Sequence, residues 1–359
     1  MSRTGLPHSL PGTAWKIARA RFGGARVPLV VSLSLTHRCN LRCDYCAVWE
    51  QPPAEMDTAT LLGLIDQLAA AGTERLSLGG GEPMLCRDLG VIIRHARQRG
   101  LTVNLLSNGH RVPQRVAELT PLDFLVISLD GPRALHDSVR GHGAHARAVA
   151  AIRAARAAGI EVWTTTVLTR HNLAALPAML DFGREEGCRV TFLPVMEQSL
   201  KARNSRALAP DREAFRAAMA TLIRETSRPG TPLAGPRALY RFYRDHWGAE
   251  RPAPAQGAWH AGVLACQAGR LFCAIAPDGR LYPCNHLQGA GPGEDATAGF
   301  EQALHRSRLP DCDGCWCDSF IEANLLFRFH PGVILNLVRL LQRSRAPAGA
   351  GAAIAACRQ

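Results

Sequence analysis

Residues 29–46 read Leu29-Val30-Val31-Ser32-Leu33-Ser34-Leu35-Thr36-His37-Arg38-Cys39-Asn40-Leu41-Arg42-Cys43-Asp44-Tyr45-Cys46. Leu29–Leu35 is a β-rich apolar run that gives way to a polar loop, which predicts a strand. The loop spaces its thiols C-x3-C-x2-C. The alternation of apolar run and helical pattern continues beyond it. Further strands are expected at Arg75–Leu78, Thr102–Leu106, Phe124–Leu129, Glu161–Leu168 and Val190–Val195. Helical patterns lie between them at Thr58–Ala71, Leu89–Arg99, Val112–Leu119, Ala144–Ala158 and Leu173–Glu186. The connections suit right-handed crossovers, so the expected fold is α/β: a partial (β/α)6 TIM-like barrel, complete or open. Functional residues of such barrels gather at the C-terminal strand ends. The cysteine loop, Gly79–Pro83, Ser107-Asn108-Gly109 and Asp130 all fall there.

The rest of the chain sets bounds on this reading. Of 359 residues, 47% are hydrophobic and 20% charged, a globular balance that excludes long disorder and collagen-like scaffolds. No apolar run reaches a membrane-crossing length, and the first residues lack a signal-peptide pattern, so a cytoplasmic protein is expected. Twelve cysteines in such a chain point to metal or redox chemistry rather than disulfides. The net charge of +12 comes almost wholly from arginine, since Lys16 and Lys201 are the only lysines. That is as compatible with an Arg-rich proteome as with an anionic partner, and no nucleic acid is expected.

The expected organisation is a basic N-terminal extension (1–28), the barrel core (29–196), a helical bridge (197–260), a cysteine-rich hairpin module (261–318), a C-terminal helix (319–345) and a disordered tail (346–359). A short helix is expected around Ala14–Arg21. Arg270–Ala276 and Arg280–Pro283 flank the turn signal Pro277-Asp278-Gly279, which predicts a hairpin.

Thiolates are soft ligands that suit iron–sulfur clusters and zinc. A structural zinc site closes with four ligands, whereas the loop supplies three, which leaves one iron of a four-iron cluster open; the alternative is a zinc site that borrows a distant ligand such as His37. With Tyr45 before the last cysteine, the segment resembles the signature loop of the radical S-adenosylmethionine (radical SAM) superfamily. The resemblance implies that Cys39, Cys43 and Cys46 bind a [4Fe–4S] cluster whose open iron chelates SAM. It also implies that one electron cleaves SAM to a 5′-deoxyadenosyl radical, which abstracts a substrate hydrogen. A reductant such as flavodoxin or ferredoxin is the implied electron source.

Other positions match the family. Gly79-Gly80-Gly81-Glu82-Pro83 resembles its GGEP segment, so Gly80, Gly81, Glu82 and Pro83 are expected beside SAM, with Glu82 near its ammonium group. Ser107 and Asn108, then Ser128 and Asp130, resemble positions lining the ribose and methionine parts; helix capping and turn formation are the alternative. Tyr45 joins this set. Arg140, in His136-Asp137-Ser138-Val139-Arg140-Gly141, is expected to pair with SAM's carboxylate, or else to be a surface arginine. Thr166 and Leu168 on the fifth strand fall where family members contact adenine or ribose.

A second group reads Cys266-Gln267-Ala268-Gly269, the hairpin, Pro283-Cys284, then Cys312-Asp313-Gly314-Cys315. Four thiolates complete a cluster or a tetrahedral zinc site. This resembles the SPASM module or its shorter twitch form. A full SPASM module has a later C-x5-C-x3-C run, absent here, so twitch with one auxiliary [4Fe–4S] cluster on Cys266, Cys284, Cys312 and Cys315 is implied. Cys317 and Cys273 are possible substitutes. Cys86 and Cys188 read as small buried hydrophobes, and Cys357 as an inert tail thiol.

The expected function is a radical SAM enzyme acting on a small-molecule or lipid-like substrate, with the auxiliary cluster as electron acceptor or substrate anchor. Trp15–Phe22 and Phe327–Leu341 allow peripheral membrane contact, the alternative being helices that cover the barrel. Modification of a ribosomally made peptide is the second reading, disfavoured because fewer than thirty residues precede the first strand. A non-catalytic iron–sulfur carrier or zinc-bound nucleic-acid binder is the third.

Overall fold

A computed structural model describes residues 10–196, 202–248, 264–308 and 316–336. Helix α1 (Leu10–Gly23) precedes strand β1 (Val30–Thr36). Then come α2 (Thr58–Ala70), β2 (Arg75–Gly80), α3 (Leu89–Gln98), β3 (Thr102–Ser107), α4 (Val112–Leu119) and β4 (Phe124–Ser128). Helices α5 (Arg133–Arg140) and α6 (Ala144–Ala157) lead to β5 (Val162–Leu168), α7 (Leu176–Glu185) and β6 (Arg189–Pro194). The sequence pattern finds these strands and helices within a residue or two, except that α1 starts four residues before the expected Ala14, α7 starts three after the expected Leu173, and α5 is not expected. That helix is short and polar and leaves no apolar stripe to read.

The strands are parallel in the order β6-β5-β4-β3-β2-β1. Among the described residues the barrel is open at β6, where Leu233 adds a single parallel bridge to Val190. Alternation separates two faces. In β1, Val31, Leu33 and Leu35 face the helices and are buried; in α3, Leu89, Ile92, Ile93 and Ala96 meet them at helical spacing. Each such aliphatic side chain removed from water contributes about 1.5–3 kcal/mol. The opposite strand face carries Ser32, Ser34, Ser77 and Asn104, whose Nδ2 donates to Ser77 Oγ at 3.0 Å. Leu106, 42% exposed, shows that this lumen is open.

Helices α8 (Ser205–Leu208), α9 (Arg212–Glu225) and α10 (Arg237–His246) form the described part of the bridge. Strands β7 (Phe272–Ile275), β8 (Arg280–Tyr282) and β9 (Glu294–Asp295) follow, then α11 (Phe300–Arg306) and α12 (Asp318–Phe327). The predicted hairpin turn is present, with Gly279 at φ +83° and its N–H donating to Ala276 O at 3.0 Å. The hairpin is not a free-standing module, however. Strand β7 pairs in parallel with β1, from Val30 beside Phe272 to Leu33 beside Ile275, and β8 and β9 extend the same sheet. A strand edge on β1 carries unpaired backbone groups, and the hairpin satisfies them.

Helix α1 covers this region, as Ile17 and Ala20 pack with Phe272 and Phe320. Lys16 Nζ reaches Gly72 O and Glu74 Oε1, each at 3.0 Å. The helix expected from 319 ends at Phe327. Phe329 takes φ +57°, and Pro331 bars continuation before helical turns resume over 331–336. No helix among the described residues is long and apolar enough to cross a membrane. The remainder of the expected C-terminal helix and the tail, with Cys357, lie outside the described residues.

Candidate active site at the C-terminal strand ends

The cysteine loop leaves β1 at the C-terminal end of the sheet and is clamped there by backbone. The register of β1 on β2 slips between Ser34 and Thr36, which brings Gly80 opposite Thr36. Gly80 sits at φ +127°, and a Cβ on it would lie 2.3 Å from Thr36 O; one on Gly81 would lie 2.3 Å from Arg38 O. The absence of side chains lets Gly81 N–H donate to Thr36 O at 2.7 Å and Glu82 N–H to Arg38 O at 2.8 Å. On the far side, Asp44 N–H donates to Val139 O (3.2 Å), and Arg203 N–H to Tyr45 O (3.0 Å).

Within the loop, Cys43 is buried and Cys39 and Cys46 are half-buried. Donors point at the sulfurs: Leu41 N–H to Cys39 Sγ at 3.4 Å, and Arg140 Nη1 to Cys43 Sγ at 3.8 Å. Asn108 Nδ2 lies 4.0 Å from Cys39 Sγ and donates to Asn40 Oδ1 at 2.9 Å. Burial pushes the Cys39 thiol up, and Cys43 up to about 11 despite Arg140. Metal binding supplies the positive charge that such thiols need to ionise. Three soft donors on one loop, flanked by N–H groups, therefore fit an iron–sulfur cluster. Among the described residues no three His, Cys, Asp or Glu side chains converge on a single ion.

Several expected SAM contacts have protein partners as well. Glu82 is 1% exposed, and its carboxylate accepts from Met84 N–H (3.0 Å), Ser107 Oγ (2.9 Å) and Asn108 N–H (2.8 Å). A carboxylate this buried requires such donors. Glu82 and Ser107 thus join the ends of β2 and β3 to each other. Pro83 is buried at the start of a 3-10 turn, Pro83–Leu85.

Asp130 is committed on both oxygens. Its Oδ2 accepts from Arg140 Nε (2.5 Å) and Tyr45 Oη (2.8 Å), and its Oδ1 from Val167 N–H (2.9 Å). Burial opposes its charged form, yet Arg140 holds it below the usual carboxylate range. Arg140 is not a surface arginine: it is buried and donates to Asp130, Tyr45 Oη and Cys43. Thr166 and Leu168 face the helices; Thr166 Oγ1 donates to Leu129 O at 2.6 Å. Asn108 lies beside Cys39, and Ser128 is half-buried at the end of β4.

Sequence reasoning missed His136 and Asn172. His136 Nδ1 accepts from Asp130 N–H at 3.0 Å, which fixes its tautomer, and burial lowers it to about 4. Asn172 Nδ2 donates to Asp130 O and Val167 O, each at 2.8 Å. His136 stood in a quoted motif, but nothing in its spacing names the partner.

The second cysteine group gathers around β7. Cys284 belongs to the apolar cluster of Phe272 and Phe320, whose rings stack at 4.6 Å, and Cys266 and Cys317 pack against it. Burial, with Asp318 beside it, pushes Cys317 up to about 12. Cys273 is excluded from this group. Alternation turns it to the other face of β7, into the main core, where burial alone raises it. Cys312 and Cys315 lie outside the described residues. Cys188 is buried, whereas Cys86 is only half-buried.

The sequence profile of the Radical SAM superfamily matches residues 33–183. A PqqA peptide cyclase of Gluconobacter oxydans (strain 621H) is 31% identical over 267 residues, covering 72% of this chain and 70% of the relative. Streptococcus suis SuiB bound to precursor peptide SuiA superposes with a TM-score of 0.62 at 15% identity, covering 90% of this chain and 78% of that one. Native anSMEcpe with bound AdoMet and Cp18Cys peptide gives a TM-score of 0.60 at 14% identity, covering 88% and 99%.

Proposed function

This chain belongs to the radical SAM superfamily, and from that premise we propose that it modifies a peptide, using Cys39, Cys43 and Cys46 to hold the cluster at which SAM is cleaved. It is an enzyme with SAM and a [4Fe–4S] cluster as cofactors, which sets aside the non-catalytic carrier and the zinc-bound nucleic-acid binder. The observation that carries the substrate class is the identity to a PqqA peptide cyclase over 72% of the chain. It supports the peptide alternative over the small or lipid-like substrate. When bound, the cofactors supply the radical that removes a substrate hydrogen.

The protein contributes placement. The Gly80–Gly81 backbone and Val139 O fix the loop from two sides, and Asn108 and Arg140 direct N–H groups at two of its sulfurs. The lumen offers half-buried polar groups, among them Ser77 and Ser128, to a bound molecule. Cys266, Cys284 and Cys317 form the described part of a second thiol site, consistent with an auxiliary cluster completed from the C-terminal cysteines.

The test is anaerobic reconstitution with SAM and dithionite, together with short peptides encoded beside this chain. Formation of 5′-deoxyadenosine with a peptide product lighter by two hydrogens, as ring closure requires, supports the reading. 5′-Deoxyadenosine with every peptide unchanged refutes the substrate class. No 5′-deoxyadenosine from iron-loaded protein refutes the ligand assignment.

A further inference from the structure

Arg140 is the last residue of α5, followed by Gly141 at φ +106°. The same helix end supplies Val139 O to the cysteine loop, so α5 grips the loop through backbone and side chain together. The guanidinium spreads its donors over three acceptors: Asp130 Oδ2 from Nε at 2.5 Å, Tyr45 Oη from Nη2, and Cys43 Sγ from Nη1 at 3.8 Å. Its Cζ also lies 5.5 Å from the centre of the Tyr45 ring. A lysine would have to serve these acceptors from a single nitrogen, whereas the guanidinium reaches them from three. Burial of this cation would be costly without Asp130, whose position is itself fixed by Val167 N–H and by backbone links to His136 and Asn172. The result is a rigid cation beside a thiol, with a rigid anion behind it.

We propose that Arg140 is a positioning residue that sets the reduction potential of the cluster on Cys39, Cys43 and Cys46, with Tyr45 as its tether and Asp130 as the opposing charge. The inference rests on the ligand assignment made above. One-electron reduction adds a negative charge to the cluster. A buried guanidinium donating to a ligand sulfur stabilises that charge, and a carboxylate just beyond it opposes it. Removal of either partner therefore moves the potential, and the two removals move it in opposite directions.

The experiment is a dithionite titration of anaerobically reconstituted protein, followed by EPR on the signal that changes when SAM is added, with iron and sulfide counted in parallel. If wild-type protein takes up no iron or shows no SAM-sensitive signal, the ligand assignment fails and the inference falls with it. With wild type loaded, R140Q is expected to lower the reduced-to-oxidised ratio at fixed potential about tenfold, equal to about 59 mV for one electron. R140K, which keeps the charge, should fall less, and D130N should raise the ratio. Loaded variants whose potentials equal wild type, or all shift in one direction, overturn the proposal. If R140Q loads no iron, R140K and D130N decide by the same opposition of sign.

Discussion

The run Gly79-Gly80-Gly81 contains its own control. A Cβ on Gly79 meets nothing within 4 Å, whereas one on Gly81 lies 2.3 Å from Arg38 O, 2.6 Å from His37 O and 2.8 Å from Arg38 C. All three are backbone atoms, so no side chain can swing aside. For G81A the segment entering Cys39 must retreat by roughly 1 Å to reach ordinary contact. Overpacking of this kind costs about 1–3 kcal/mol. The same retreat stretches the 2.7 Å and 2.8 Å hydrogen bonds to Thr36 O and Arg38 O, adding about 0.5–1.5 kcal/mol for each one lost. G81A should therefore lose about 2–6 kcal/mol and lower Tm by roughly 3–8 °C, while G79A stays within about 1 kcal/mol of wild type. Anaerobic thermal unfolding followed by far-UV circular dichroism reads the first effect. Iron retained after reconstitution and gel filtration reads the second, since the displaced backbone leads into the first proposed ligand. If G81A melts and loads iron like G79A, the close approach of β2 to the cysteine loop is wrong.

Replacing Cys39, Cys43 or Cys46 by Ala should abolish 5′-deoxyadenosine formation, measured by chromatography after addition of SAM and dithionite. C266A, C284A and C317A should each lower bound iron by about four atoms per chain while 5′-deoxyadenosine still forms; C273A, on the opposite face of β7, should leave the iron count unchanged. His136 is lowered to about 4 in the folded chain, so the unfolded chain takes up its proton first as pH falls from the unfolded value of 6.5. The stability it contributes is present above pH 6.5 and is lost on acidification towards pH 4, up to about 3 kcal/mol. H136N, whose Oδ1 can accept from Asp130 N–H, should flatten that part of the pH–stability curve in urea unfolding, and an unchanged slope would refute the assignment.

The strands, their helices and the cysteine loop were legible because each is written in local periodicity or spacing. The hairpin was equally plain from Pro277-Asp278-Gly279. What sequence could not supply was partnership between distant residues. Tyr45 and Asp130 are 85 positions apart, and Cys43 and Arg140 are 97 apart. The family resemblance places Glu82, Asp130 and Arg140 beside SAM, but it is silent on the protein partners that their burial demands. Cys273 shows the complementary limit. Alternation tells which residues of β7 share a face, but only pairing with β1 tells that the Cys284 side is the thiol-bearing one.

The pairing of β7 with β1 gives the molecule a built-in ruler. The first cysteine loop leaves the end of β1, whereas Cys266 and Cys284 lie near the start of β7, where Phe272 is level with Val30. The span between the two thiol groups is thus tied to the length of one strand of seven residues, roughly 20 Å at the rise of a parallel strand. Inserting one residue into β1 would lengthen that interval and also turn every side chain beyond it to the other face, exchanging Leu33 and Leu35 with Ser32 and Ser34. The interval between the thiol groups and the polarity of the lumen are therefore inherited as one character.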